Sequence, residues 1–200
     1  MSGAAIGVRV HSGWGALVAV TGAPGAIEII ERRRIEIINP KSPGAKQPFH
    51  YAERIGLPKA EKHLAECEAE TARLAFAAIR DVVEGLASRQ YRIAGAAILL
   101  ASGRALPPLP DILRSHAMIH TAEGEFFRDS FRRAFEQLGL PISGIREREL
   151  EKFASEALGI AAARVRQRIA SAGKALGPPW TQDHKLAALA ACLLLAGKEK

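Results

Sequence analysis

Between Ala5 and Val20 the chain reads as strand, glycine turn, strand, with apolar residues filling both arms and Ser12-Gly13 between them. A two-residue turn containing glycine predicts that 6–10 pairs antiparallel with 16–20. His11 falls where the chain leaves the first arm. A second turn signal, Gly22-Ala23-Pro24-Gly25, precedes the isoleucine-rich run Ile27 to Ile38. Strand alternation there puts Arg32 and Arg34 on one face and Ile35 and Ile37 on the other. Three strands joined by short turns make an antiparallel meander, and every later element must pack against it.

The remainder alternates between helix and strand signals. Asn39 to Pro58 holds four prolines and two glycines, which predicts a loop over about 39–58. Gln47-Pro48-Phe49-His50-Tyr51 is expected to be extended, because proline disfavours helix in the residue before it. A long helix is predicted from about Pro58 to Ser88, with apolar residues at helical spacing. A strand over Arg92–Leu100 follows, ended by Ser102-Gly103-Arg104, and Pro107-Pro108-Leu109-Pro110 forces a break. A short helix is expected from Asp111 to His120 and a longer one from Thr121 to Leu138, with Thr121 as its N-cap. Leu140–Ile145 is a short strand. Residues 148–176 read as basic helix interrupted near Gly159, Gly177-Pro178-Pro179 breaks it, and Thr181 caps a last helix ending near Gly197. This order predicts an α/β fold with a mixed sheet and helices on its faces. It also predicts a single domain over 1–200 with helical elaboration at about 148–200.

Composition bounds the rest. Apolar residues make up 48% of the chain and aromatic ones 6%, so the expected core is mostly Ala, Leu, Ile and Val. The formal charge of +7 is compatible with a polyanion such as nucleic acid, because Lys and Arg neutralise phosphates and release counterions, although most surfaces with a modest positive excess bind none. Cys67 and Cys192 lack CxxC spacing, which argues against a disulfide framework or a cysteine-built zinc site. The apolar run Leu186–Ala196 is too short for a bilayer and no signal peptide opens the chain, so a soluble, cytoplasmic protein without a membrane partner is expected.

Two motifs carry a resemblance. His11-Ser12-Gly13 ends the first strand, and Trp180-Thr181-Gln182-Asp183-His184-Lys185-Leu186 opens an Ala/Leu-rich last helix. With the order of elements, they resemble the ribonuclease H-like superfamily, and within it the RuvC-type resolvases. The resemblance implies a ribonuclease H-like sheet and a nucleic-acid-related role. That family's chemistry uses several carboxylates converging on two divalent metals. Carried over to this chain, the first-strand acid position is His11. The acid position near the end of the fourth strand falls at Ala101 to Gly103, where nothing is acidic. Of the final acidic pair, Asp183 takes the first place and Leu186 the second. The resemblance therefore implies the fold without the orthodox two-magnesium site.

The densest set of polar groups is His116-Ala117-Met118-Ile119-His120-Thr121-Ala122-Glu123-Gly124-Glu125. His116 and His120 share a face if the segment is helical, and Glu123 or Glu125 would complete a set suited to an imidazole-friendly metal. The motif is not HExxH. In the resembled fold His11, Ser12, His120, Glu123 and Asp183 surround one cleft as candidate catalytic residues. Trp14, His116, Trp180 and Lys185 are candidates for binding substrate. The plainer reading is that His11 hydrogen-bonds within its turn and both tryptophans fill core. Arg32-Arg33-Arg34 and the pair Arg164 and Arg168 read as solvated surface or as a phosphate track. Gly22-Ala23-Pro24-Gly25 is no phosphate loop, and the sequence singles out no cofactor. Three functions stay open: a nucleic-acid-related RuvC-like domain, a hydrolase using a His/Glu/Asp cleft with or without a transition metal, and a non-catalytic interaction protein such as a homodimer formed through an apolar helix.

Overall fold

The structure, a computed structural model, describes residues 2–101, 105–159 and 161–198. Three antiparallel strands open it: β1 (Ser2–His11), β2 (Trp14–Thr21) and β3 (Glu28–Glu36). Their pairing follows the glycine turn, with His11 opposite Trp14 and Ile6 opposite Ala19. Gly13 makes that turn at a φ of +82°, which a side chain would resist. Next come α1 (Pro48–Ile55), α2 (Leu57–Ser88), β4 (Tyr91–Leu100), α3 (Leu109–Leu113), α4 (His116–Gln137) and β5 (Ile142–Arg146). A 3₁₀ turn (Glu147–Glu149) then leads into α5 (Leu150–Leu158), α6 (Ala161–Leu176) and α7 (Gln182–Lys198). The sheet order is β3-β2-β1-β4-β5, with β4 parallel to β1 and β5 parallel to β4. This is the expected mixed sheet of ribonuclease H-like form, a meander extended by parallel strands.

The two sheet faces are packed differently. Ile6, Val8, Leu17, Ala19 and Ile98 point to α2 and α4, where Phe127, Phe131 and Phe135 are fully buried. Ala5, Val18, Val20, Ala97 and Leu99 point to α5, α6 and α7. The most apolar helix, α7, lies on that second face with Ala187, Ala188, Ala190 and Ala191 all buried. The apolar face of α7 is therefore covered by the sheet within the chain. Among the described residues no helix is long and apolar enough to cross a membrane.

Two local expectations are corrected. The segment Gln47 to Tyr51 is not extended, because α1 starts at Pro48 inside the expected loop. Proline suits a first helical turn, where its missing N–H costs nothing. Burial of Phe49 beside Ile112, Ile119 and Ala122 then holds the short helix in place. Nor does Thr121 cap a helix. Its hydroxyl donates to the Ala117 carbonyl at 3.0 Å inside a continuous α4. Ile119 and Ala122 are both buried, and they run the apolar stripe across the expected boundary. The expected stop at Ser102-Gly103-Arg104 lies outside the described residues.

Candidate functional site

The end of β1, the start of α7 and the segment after β5 meet at one corner of the sheet. Gly7 is what allows the first two to approach. A Cβ placed there would sit 1.9 Å from the Ala187 carbonyl oxygen, so α7 backbone rests directly on the strand. Strand alternation then carries Arg9 and His11 to the same face, beside the first turn of α7.

Arg9 is the centre of this corner. Its Nε donates to Glu147 Oε2 at 2.9 Å and its Nη2 to Glu147 Oε1 at 2.8 Å, a two-pronged pairing. Its Nη1 donates to Asp183 Oδ1. His11 Nε2 lies 3.1 Å from the same Asp183 oxygen. Burial acts to raise the Asp183 pKa, but the hydrogen bonds from Arg9 and His11 outweigh it, and the net direction is below the usual carboxylate range. Hydrogen bonding to Glu147, stronger than the opposing desolvation, raises the Arg9 pKa.

The start of α7 is capped by its own third residue. The Thr181 backbone N–H donates to His184 Nδ1 at 3.1 Å, the half of a capping box in which the third helical residue reaches back, with histidine in the place usually held by Glu or Gln, and the Thr181 hydroxyl lies 2.9 Å from the same nitrogen. His184 is nearly buried, and burial, followed by the nearby Arg32 charge, lowers its pKa. That direction suits a neutral ring whose Nδ1 accepts. Asp183 occupies the same first turn, where the helix dipole favours negative charge.

The aromatic neighbours already have occupations. Trp14 stacks on His11 with ring centres 4.3 Å apart, and the Arg34 guanidinium lies 3.5 Å from the Trp14 ring centre. Trp180 Nε1 donates to the Ile169 carbonyl at 2.8 Å, and its ring stacks on His184. Arg32 donates to the carbonyls of Gly177 and Pro179, which pins the turn before α7 onto β3.

A cleft of about 810 Å³ opens at this corner, bordered by Arg9, His11, Arg128, Glu147, Arg148 and Gln182. Arg128 Nε is buried and is the one such side-chain atom without a hydrogen-bond partner among the described residues. A smaller groove of about 170 Å³ holds Lys185 and Arg166, and it shares Glu151, Gln182 and Leu186 with the cleft. The two form one continuous surface.

The remaining candidates gather elsewhere. His50 on α1 meets Glu123 on α4, with its Nδ1 2.9 Å from Glu123 Oε1 and its backbone N–H donating to the same oxygen at 3.2 Å. His116 Nε2 and His120 Nε2 are 3.0 Å apart. One nitrogen from each of His50, His116 and His120 falls within a 4.8 Å cluster.

The structure thus brings His11, Trp14 and Asp183 together at the sheet corner, and His116, His120 and Glu123 together between α1 and α4. Among the described residues no hydrogen bond or ring contact joins the two groups, and neither His120 nor Glu123 borders the cleft. Ser12 is exposed in the turn. Lys185 borders the smaller groove, and Trp180 packs inward against α6.

Sequence reasoning singled out none of Arg9, Glu147 and Arg128. Arg9 was within reach, since it sits two positions before His11 and must share its face. Glu147 follows the last parallel strand at the same sheet end, a placement only the topology reveals. His50, read as a loop residue able to reach the cleft, instead stands on α1 against Glu123 and His120.

Comparison with known proteins agrees with this architecture. No protein-family model matches the chain, and no curated protein does. Among solved structures, Thermus thermophilus RuvC in complex with a Holliday junction substrate superposes with a TM-score of 0.55 at 12% identity, covering 98% of this chain and 94% of that one. A second structure of Thermus thermophilus RuvC gives a TM-score of 0.54 at the same identity and coverage. The likeness is one of fold.

Proposed function

We propose that residues 1–200 act as one RuvC-like domain that binds nucleic acid at the sheet corner without two-magnesium nuclease chemistry. One observation carries this reading: the Arg9 guanidinium engages both Glu147 oxygens and Asp183. Hard divalent cations need several carboxylate oxygens free to bind, and two adjacent cations need more. Here a fixed positive charge takes those oxygens, and β4 runs out into Ala101 rather than an acid. The donor set does not fit a pair of magnesium ions.

Charge supports the nucleic-acid partner. The cleft and groove are bordered by Arg128, Arg148, Arg166 and Lys185 against Glu147 and Glu151, on a chain of net charge +7. Arg128 is held at the cleft wall by its Nη1 bond to Glu125 Oε1 at 3.0 Å. The likeness to a RuvC solved on a Holliday junction agrees in fold. A hydrolase working through one His/Glu/Asp cleft is less well supported, since it would need His120 and Glu123 to border the cleft that His11 borders.

Fluorescence anisotropy with four-way-junction and single-stranded DNA, at about 50 and about 200 mM salt, tests the proposal. Binding at low salt is expected, weakening at least tenfold at the higher concentration. Arg148→Ala with Lys185→Ala should reduce both affinity and salt slope, and added magnesium should produce no cleavage. No binding at low salt, or magnesium-dependent cleavage by the purified chain, overturns it.

A further inference from the structure

His50, His116, His120 and Glu123 are unused by the nucleic-acid reading, and they differ from an ordinary surface cluster in three respects. First, the three imidazoles converge. Their ring centres lie 4.5 to 5.2 Å apart, and every pair meets edge to face at 65 to 83° rather than stacking. Second, the nitrogens are at ligand spacing. Tetrahedral zinc with Zn–N bonds of about 2.0–2.1 Å sets neighbouring nitrogens about 3.3 Å apart. His116 and His120 Nε2 stand at 3.0 Å, and the third nitrogen lies within 4.8 Å. Third, a carboxylate is placed behind one ligand. Glu123 is 4% exposed, and its Oε1 faces His50 Nδ1 at 2.9 Å. With the proton on Nδ1, His50 presents its Nε2 lone pair away from Glu123.

We propose that His50, His116 and His120 form a binding site for a zinc-class divalent transition metal, with Glu123 as the carboxylate that orients His50. Imidazole nitrogens favour such ions over magnesium or calcium. A carboxylate behind a histidine ligand fixes its tautomer and raises its basicity. His116 and His120 lie one turn apart on α4 and His50 comes from α1, so the ion clamps two helices. Both α4 histidines are exposed, which leaves the fourth coordination position to water or an external donor. The site shares no residue with the cleft and stands whether or not the chain binds DNA.

The experiment uses full-length chain, free of affinity tag and stripped with chelator, titrated with Co²⁺ and then Zn²⁺. One Co²⁺ per chain is expected, with weak visible bands, no thiolate charge-transfer band, and displacement by Zn²⁺. His116→Ala with His120→Ala should lose this ion, and both side chains are exposed, so the fold is kept. Glu123→Gln should weaken binding roughly 10- to 100-fold. Cys67→Ser is the control for the nearby His63–Cys67 pair, whose sulfur and Nε2 are 3.5 Å apart, and it should change nothing. No stoichiometric binding at roughly 100 µM metal, equal binding by the double variant, or loss of the ion in Cys67→Ser overturns the proposal.

Discussion

The corner at β1 and α7 and the cluster between α1 and α4 are both built from histidine and carboxylate, yet they balance charge in opposite ways. At the corner, Arg9 supplies the cation, Glu147 and Asp183 the anions, and His11 completes the set. Between the helices there is one carboxylate and three imidazoles, and no arginine or lysine is paired with them among the described residues. The first group is complete without a ligand, and its residues hold the fold together. The second gathers three imidazoles, with one nitrogen of each within 4.8 Å of the others and a single carboxylate behind His50. Histidine beside a carboxylate therefore says little until the cation in the neighbourhood is identified.

Substitutions sharpen this contrast, beginning with the largest effect. Gly7→Ala drives a methyl into the Ala187 carbonyl, where no side chain can move aside, and should cost about 3 kcal/mol in urea unfolding. A near-neutral result would show that the corner tolerates separation of α7 from β1. Arg9→Ala leaves two carboxylates facing each other without their cation. It should cost about 2 kcal/mol, less than a fully buried pair because a quarter of the side chain is exposed. If stability is unchanged, the corner is not the completed network described above.

Asp183→Asn should cost less at neutral pH, and its effect should depend on acid. Folding holds the Asp183 pKa down, so the folded state favours the ionised form. That contribution is complete above the unfolded value of about 3.9 and disappears as pH falls through it and then through the lower folded value. Unfolding curves of the wild-type chain and Asp183→Asn should converge in acid and diverge toward neutrality. The opposite trend would mean that burial outweighs the hydrogen bonds. Smallest are Ser12→Ala and, without metal, His116→Ala, each expected within about 0.5 kcal/mol of wild type because both side chains are exposed. With zinc added, His116→Ala should lose a thermal stabilisation that Ser12→Ala keeps.

The sheet was legible because its signals are local. Glycine turns and strand alternation defined β1 to β3, and α7 announced itself through its Ala/Leu run. His11 and Asp183 were also expected together, because the resembled fold brings the first-strand turn to the start of the last helix. What could not be read was the partner that decides their chemistry. Glu147 reaches Arg9 from 138 residues away, and only the parallel crossover to β5 brings it there. His50 was misplaced for a different reason. A proline-rich segment carries a strong loop signal, and the helix exists because Phe49 and Ala52 find an apolar surface on elements far along the chain.

The close seat of α7 on Gly7 has a mechanical consequence. The Ala187 carbonyl occupies the notch left by a missing side chain, and such a notch works as a keyway: it blocks α7 from sliding along β1. Residues 9 and 11 on the strand and 183 and 186 on the helix therefore keep one register whatever side chains they carry. Helices α5 and α6 sit outside that key. The same rigidity makes the corner a ready frame for grafting other side chains.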